Sequence, residues 1–348
     1  VIAAVCPHHG PPEVVRAQEC PSPSLQDGQV RIRVAAAAVN FPDVLMVADR
    51  YQISVSPPFI PGSEFSGMIT ETSPGVSDFT AGDRVTGTGL FGAFAEEVCV
   101  EADGLSAIPD GVDDLTAAAF GVAHSTAYHC LRSVARVSAG DDVIVLGAGG
   151  GVGLAAVQLA TALGARVTAV ASSVEKLGVA AGYGATYVVD HTNGDVRAAL
   201  REALPDGAHA VVDPVGGELS EPALRSLRRG GRFVTVGYAS GVIPRIPLNL
   251  VLLKGIHILG FHFQDVPPHE FVRNETELRE LFTSGAVAPH ISAVYPLTQT
   301  AAALRVVADG RAVGKVVIDL SANTPPRRDH AVTSRPITVT ATGPWGNP

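Results

Sequence analysis

The hydrophobic pattern of this 348-residue chain changes period near residue 123. Before that point apolar and polar positions alternate over short spans, as in Val30-Arg-Ile-Arg-Val34, Gly67-Met-Ile-Thr-Glu-Thr72, Asp83-Arg-Val-Thr86 and Ala95-Glu-Glu-Val-Cys-Val100. Side chains along a strand point alternately to opposite faces, so this period predicts half-buried strands. Pro61-Gly62, Pro74-Gly75 and Gly82-Asp83 supply the turns between them. Short strands with irregular spacing predict a compact barrel rather than a doubly wound sheet.

Beyond residue 123, β-branched apolar runs at 143–147, 166–171, 186–190, 208–213, 231–237 and 256–261 alternate with helix-period segments at 152–163, 174–181, 195–203, 218–228 and 249–254. Six strands alternating with helices predict a parallel sheet covered by helices on both faces. From about residue 264 the chain is expected to return to the first domain, with Val313-Gly-Lys-Val-Val-Ile-Asp-Leu320 as its closing strand. The reading is therefore an α/β protein with one domain from residues 1–122 and 264–320 and a second from 123–263. Residues 321–348, rich in Thr and Pro and without apolar periodicity, read as a flexible tail.

Composition narrows the class. Hydrophobic residues make up 46% of the chain and charged residues 17%, ample for two cores and unlike a disordered protein. The formal charge of −9, with no basic run, argues against nucleic acid or an anionic membrane as partner. Cys6, Cys20, Cys99 and Cys130 are scattered, with no C-x-x-C pair, and no signal-peptide pattern precedes the first strand; a cytoplasmic protein is expected. Residues 143–165 carry no charge and are long enough to span a bilayer, but five glycines crowd residues 147–153. A strand–loop–helix unit explains those glycines, and a membrane span does not.

That unit is the most informative segment. Val143-Ile-Val-Leu-Gly147-Ala-Gly-Gly-Gly-Val-Gly153 runs directly into Leu154-Ala-Ala-Val-Gln-Leu-Ala-Thr-Ala-Leu163. Free N–H groups and the helix dipole at such a junction favour a pyrophosphate. The register reads Ala148-x-Gly150-x-x-Gly153, one position short of the strict glycine fingerprint. Gly150 would let phosphates approach, and Gly153 would let helix pack on strand.

The second strand of the unit ends in Ser172-Ser173-Val-Glu-Lys176, with no acid at its tip. A carboxylate there would accept hydrogen bonds from a ribose 2′-OH and repel a 2′-phosphate. Two hydroxyls and a cation suit the phosphate, which predicts NADPH rather than NADH. Ser173 can at the same time cap the following helix.

Asn40-Phe-Pro-Asp43, Pro61-Gly-Ser-Glu-Phe-Ser-Gly67, Ala81-Gly-Asp-Arg-Val85 and the glycine loop stand in the order and spacing of the medium-chain dehydrogenase/reductase superfamily, which the chain resembles over roughly residues 1–320. The resemblance implies a GroES-like β-barrel catalytic domain joined to a Rossmann domain. Zinc-dependent members carry Cys near the position of Asn40 and His in a Gly-His-Glu motif that here reads Gly62-Ser63-Glu64. Two ligand positions are lost, and the four-cysteine lobe is missing, so no metal is expected.

Within the superfamily the chain is similar to the zinc-free quinone oxidoreductase branch that includes zeta-crystallin. The similarity extends to Tyr51, Asp213-Pro-Val-Gly-Gly217, Val236-Gly-Tyr-Ala-Ser-Gly241 and Ile246-Pro-Leu-Asn-Leu-Val-Leu-Leu-Lys254. The resemblance implies that Gly150, Gly151, Val152, Ser172, Ser173 and Lys176 hold the NADPH phosphates. It places Gly237, Tyr238, Phe261, His262 and Phe263 along the cofactor, with Thr126 and Asn40 flanking the nicotinamide. His191 stands where relatives often carry Tyr near the adenosine end.

Hydride transfer to a quinone or enone needs an open nicotinamide face and a donor near the developing oxyanion. Asn40 and Tyr51 are the expected donors, and Tyr51 can equally be a core aromatic. Asp43 reads as a cap or an orienting group for backbone. The leading expectation is an NADPH-dependent oxidoreductase acting on a small electrophile, a quinone or α,β-unsaturated carbonyl. A reductase of enoyl thioesters or 2-alkenals shares the same fold and cofactor site. From another class, an NADPH-binding structural or RNA-binding protein of zeta-crystallin type is opposed by the acidic balance. The resemblance also implies a homodimer, for which Ile256-His-Ile-Leu-Gly-Phe261 is a fitting edge strand.

Overall fold

The computed structural model describes residues 1–321, so the expected C-terminal tail lies outside the described residues. The chain divides into two compact units, Val1–Val122 with the segment from Ile291 onward, and Ala123–His290. The first begins with β1 (Ile2–Val5), β2 (Arg16–Glu19) and the long β3 (Gln29–Val39), followed by α1 (Phe41–Val47). Then come β4 (Glu64–Thr72), β5 (Arg84–Thr88), β6 (Glu97–Glu101), β7 (Leu105–Ala107) and α2 (Asp114–Ala118). Each alternating segment of the sequence contains a strand: β3 and β4 run beyond their segments, while β5 and β6 begin one and two residues later than the pattern predicted.

The helix α3 (Gly121–His129) leads into the second unit, where β8 (Asp142–Leu146), β9 (Arg166–Ala171), β10 (Tyr187–Asp190) and β11 (Ala208–Asp213) alternate with α4 (Gly151–Ala162), α5 (Val174–Gly182) and α6 (Val196–Ala203). The unit continues through α7 (Ser220–Arg225), β12 (Leu227–Thr235), α8 (Leu248–Lys254), β13 (His257–Gly260) and α9 (Pro268–Thr283). The six strands are all parallel, in the order β10-β9-β8-β11-β12-β13. That is the doubly wound order of a dinucleotide-binding sheet. β8 is buried along its whole length, as the first strand of such a sheet must be under helices on both faces.

One boundary differs from the sequence reading. The chain does not rejoin the first unit at 264 but at 291, because α9 is bound into the second unit by polar side chains. Asn274 Nδ2 donates to His129 Nδ1 at 3.0 Å and to Ser133 Oγ at 2.9 Å. His129 Nε2 lies 2.9 Å from Glu275 Oε1, and Glu277 takes Tyr128 Oη at 2.7 Å and Arg132 Nε at 3.1 Å. His129 and Asn274 are fully buried. With Leu278 and Phe282 as its few buried apolar residues, α9 gives a weak periodic signal, and its anchoring contacts span about 145 residues of sequence.

After α9 the chain completes the first unit with β14 (Ile291–Pro296), α10 (Thr300–Ala308) and β15 (Lys315–Asp319). The resulting sheet runs β14-β15-β3-β4-β5-β7, with β6 also paired to β3. β15 is antiparallel to β3 and parallel to β14, so the last strand is an interior one. Val30, Ile32, Val34, Phe65, Ile69, Val85, Phe94, Val316 and Ile318 lie in one apolar core. The second unit has its own core, around Ile144, Leu146, Val170, Val211, Leu224 and Phe233.

Candidate functional site

In the second unit every expected cofactor residue except Thr126 lies beyond the C-terminal end of a parallel strand, in the loop that follows it or, for Gly151, Val152 and Lys176, in the first turn of the next helix, on the side where open α/β sheets bind ligands. The glycine loop follows β8, Ser172 and Ser173 follow β9, and His191 follows β10. Gly237 and Tyr238 come after β12, and Phe261, His262 and Phe263 after β13. Thr126 is buried within α3.

The glycines divide by what each prevents. Gly147 has φ +60°, a conformation that favours glycine, and a Cβ there would lie 2.6 Å from Val215 Cγ2. A Cβ on Gly153 would lie 2.1 Å from Gly147 O, so glycine here lets α4 lie directly against the residue that follows β8. Gly150 is different. It caps α4 in extended conformation, and a Cβ there would meet only Gly147 O, at an ordinary 3.5 Å. No packing within the protein demands glycine at 150; its missing side chain leaves the face above the first turn of α4 open. The first N–H groups of that turn, beginning at Gly151 and Val152, have no intrahelical acceptor. The loop therefore fits a pyrophosphate.

Gly149 connects the loop to the specificity segment. A Cβ at 149 would stand 2.5 Å from both Cβ and Cγ of Lys176, so the lysine stem lies directly on this glycine. Ser173 Oγ accepts the Lys176 N–H at 3.2 Å and caps α5, while Ser172 is exposed. Burial holds the Lys176 ammonium below its ordinary pKa, and Glu175 opposes that shift. His191 is fixed beside the same tip by its N–H, which donates to Ala171 O at 3.1 Å.

The loops after β11 and β12 are joined. Buried Asp213 accepts the N–H groups of Val215 and Gly216, both at 2.8 Å, and the Ser220 hydroxyl at 2.5 Å. Ala239 and Ser240 donate to Pro214 O and Val215 O at 3.1 and 2.9 Å. Gly216, at φ +69°, has no room for a side chain because Tyr238 Cδ1 would stand 2.8 Å away. Phe261 and Phe263 meet edge to face at 4.9 Å between centroids, and His129 packs edge-on to Phe263 at 5.8 Å.

Asn40 and Tyr51 belong to the first unit, where Asn40 lies in a buried polar cluster with Asp43, Ser63, Glu64 and Lys315. None of the five is more than 7% exposed. Asn40 Nδ2 donates to Ser63 Oγ at 3.1 Å and to Glu64 Oε1 at 2.9 Å. Lys315 Nζ lies 2.5 Å from both Asn40 Oδ1 and Glu64 Oε1, and an ammonium, which only donates, fixes the amide oxygen toward itself. Glu64 Oε2 accepts the Val122 N–H at 2.9 Å. Asp43, at the third position of α1, accepts the Asn40 backbone N–H at 2.7 Å, which is the capping role expected of it.

Both amide hydrogens of Asn40 are thus engaged inside the protein, and none is left for a substrate oxygen. Tyr51 is half-buried against the apolar core, and its hydroxyl has no hydrogen-bond partner among the described residues. Burial, and secondarily the charge of Asp43, push its phenol above the usual pKa, so it remains a neutral donor. The sequence reading gave no role to Lys315 or to Glu64, although Glu64 stands in the Gly62-Ser63-Glu64 motif and Lys315 in the closing strand. A lysine opening an otherwise apolar interior strand was the available signal, since a buried charge needs a partner.

The positions that hold zinc in zinc-dependent members do not fit a metal here. Asn and Ser replace its ligands, and the Lys315 ammonium already sits against Glu64. Among the described residues no group of three or more His, Cys, Asp and Glu is arranged to hold a metal ion.

Comparison with known proteins identifies the family. Residues 26–110 match the alcohol dehydrogenase GroES-like domain, and residues 151–280 match the domain family described as zinc-binding dehydrogenase. The chain is 36% identical over 325 residues to quinone oxidoreductase-like protein 2 of Bos taurus, covering 91% of this chain and 92% of that one. It is 30% identical over 299 residues to a mycocerosic acid synthase-like polyketide synthase of Mycobacterium tuberculosis, covering 84% of this chain but 14% of the synthase. Among solved structures, the Escherichia coli quinone oxidoreductase complexed with NADPH superposes with a TM-score of 0.85 at 26% identity, over 92% of this chain and all of the other. The chain belongs to the medium-chain dehydrogenase/reductase superfamily, in its quinone oxidoreductase-like branch.

Proposed function

We propose that this protein is an NADPH-dependent oxidoreductase that reduces quinones or related α,β-unsaturated carbonyls without a metal. The observation that carries the reading is the tip of β9, where Ser172 and Ser173 stand without a carboxylate and the Lys176 stem lies on Gly149 of the phosphate loop. Bound NADPH supplies the hydride. Gly151 and Val152 present backbone N–H groups to the pyrophosphate, Gly150, whose own N–H is donated to Gly147 O at 2.9 Å, leaves room for it, and Ser172, Ser173 and Lys176 meet the 2′-phosphate. His191 lies at the adenosine end, Gly237, Tyr238, Phe261, His262 and Phe263 line the cofactor, and Thr126 flanks the nicotinamide. Tyr51 donates to the substrate oxygen as negative charge develops on it. Asn40 serves as a frame for that region, since its amide is already saturated.

A panel assay of NADPH and NADH oxidation with 1,4-benzoquinones, 2-alkenals and enoyl thioesters tests the reading. NADPH turnover with quinones is expected; equal use of NADH would refute the roles given to Ser172, Ser173 and Lys176. Faster turnover of enoyl thioesters would favour the second reading. Tight NADPH binding without turnover of any of them would point to a non-catalytic role.

The protein works as a homodimer. β13 is an open edge of the six-stranded sheet, Ile258 on it is 41% exposed, and Leu248, Leu252 and Leu253 of neighbouring α8 are between 64% and 82% exposed. An uncovered apolar edge of that kind favours pairing with a second copy. Ile258→Lys with Leu252→Glu is expected to give a monomer by light scattering. The cysteines are all free, no described helix is long and apolar enough to cross a membrane, and the cytoplasm is the compartment these features suit.

A further inference from the structure

The buried cluster of the first unit holds two carboxyl groups, Asp43 and Glu64, against one ammonium, Lys315. Lys315 is spent on Glu64 and Asn40, at 2.5 Å each. Asp43 has no cation of its own. It is wholly buried, its Oδ2 accepts one backbone N–H from Asn40, and its Oδ1 has no hydrogen-bond partner among the described residues. A lone carboxylate in that position would be an unpaired buried charge, which proteins avoid by neutralising the group. The groups that face it are Glu64 on β4, Lys315 on β15 and Tyr51 on the loop after α1.

We propose that Asp43 carries a proton in the working protein, and that this proton keeps the surroundings of Tyr51 neutral, making Asp43 a positioning residue for reduction. Burial is the main cause, raising the Asp43 carboxyl to about 7; the Asn40 N–H, Ser63 and Lys315 pull against it, and Glu64 adds to it. Once Asp43 ionises, its charge opposes the negative charge developing on a substrate oxygen beside Tyr51. The inference rests on the donor role of Tyr51 for its effect on rate. The protonation of Asp43 itself can be read without any substrate.

Three measurements decide it. The infrared spectrum of the full chain at about pH 5.5 should contain the carbonyl stretch of an un-ionised buried carboxyl that fades through about pH 7 and is missing in Asp43→Asn. Asn keeps an oxygen to accept the Asn40 N–H, so the cap survives. Thermal unfolding gives the linked result. A carboxyl whose pKa is raised by folding contributes stability that is complete below the ordinary carboxylate range and lost as pH rises through about 7, and Asp43→Asn should erase that slope. With the best electrophile, the wild-type rate should fall about tenfold per pH unit above about 7, while Asp43→Asn should vary less than about twofold. Glu64→Gln, by removing the like charge, should move the wild-type midpoint down. An Asp43→Asn protein that keeps the falling limb, or a wild type with no carboxyl band at low pH, would overturn the proposal. If no electrophile is turned over, the infrared and unfolding titrations still decide the state of Asp43, and only the reading of the reaction fails.

Discussion

The two units use opposite means to build their polar sites. The nucleotide side of the second unit is defined by backbone: glycines at 147, 149 and 153 are shaped by what a Cβ would strike, and Gly150 by what it leaves open. The cluster of the first unit is defined by side chains from α1, β4 and β15, up to 275 residues apart in sequence, whose charges must balance without water. A backbone site is written locally, and small changes to it are steric. A charge cluster is written across the chain, and removal of one member leaves the others stranded.

Substitutions can sharpen or break this contrast. The largest effect is expected from Lys315→Met, which leaves Glu64 buried beside no cation and should cost about 3–5 kcal/mol of stability in chemical denaturation. Adding Glu64→Gln to it should recover much of that loss; failure to recover would mean that the lysine acts through packing rather than charge. Gly153→Ala is next, since its methyl would stand 2.1 Å from Gly147 O. Relaxation of that overlap should cost about 1–3 kcal/mol and weaken NADPH binding measured by nucleotide fluorescence. Lys176→Ala should weaken NADPH about tenfold, about 1.4 kcal/mol, and leave NADH unchanged. The smallest loss, about 1 kcal/mol, is expected from Ser173→Ala through the cap of α5. Ser173→Ala should also weaken NADPH, since the proposed role has the serine serving both helix and phosphate.

The same contrast governs what the sequence made legible. The strands at 166–171 and 208–213 begin and end where their apolar runs do, because strand burial and periodicity are local properties. The glycine loop and Ser173 were readable for the same reason. α9 was not: its identity as part of the second unit depends on Asn274 and Glu275 finding His129, a pairing no periodicity encodes. Asn40 was recognisable as a residue of interest, but its saturation by Ser63, Glu64 and Lys315 could be seen only after β15 was placed beside β3. A motif tells which residue types meet chemistry; it does not tell which of their hydrogens are already committed.

The interior position of β15 carries a consequence for synthesis. The second unit, Ala123–His290, is continuous and has its whole sheet once residue 260 is made. The first unit starts earlier yet lacks the strand between β14 and β3 until residues 315–319 emerge. Glu64 must therefore wait about 250 residues for the lysine that neutralises it, roughly 12–50 s at ordinary elongation rates. The half of the molecule translated first is the half that closes last.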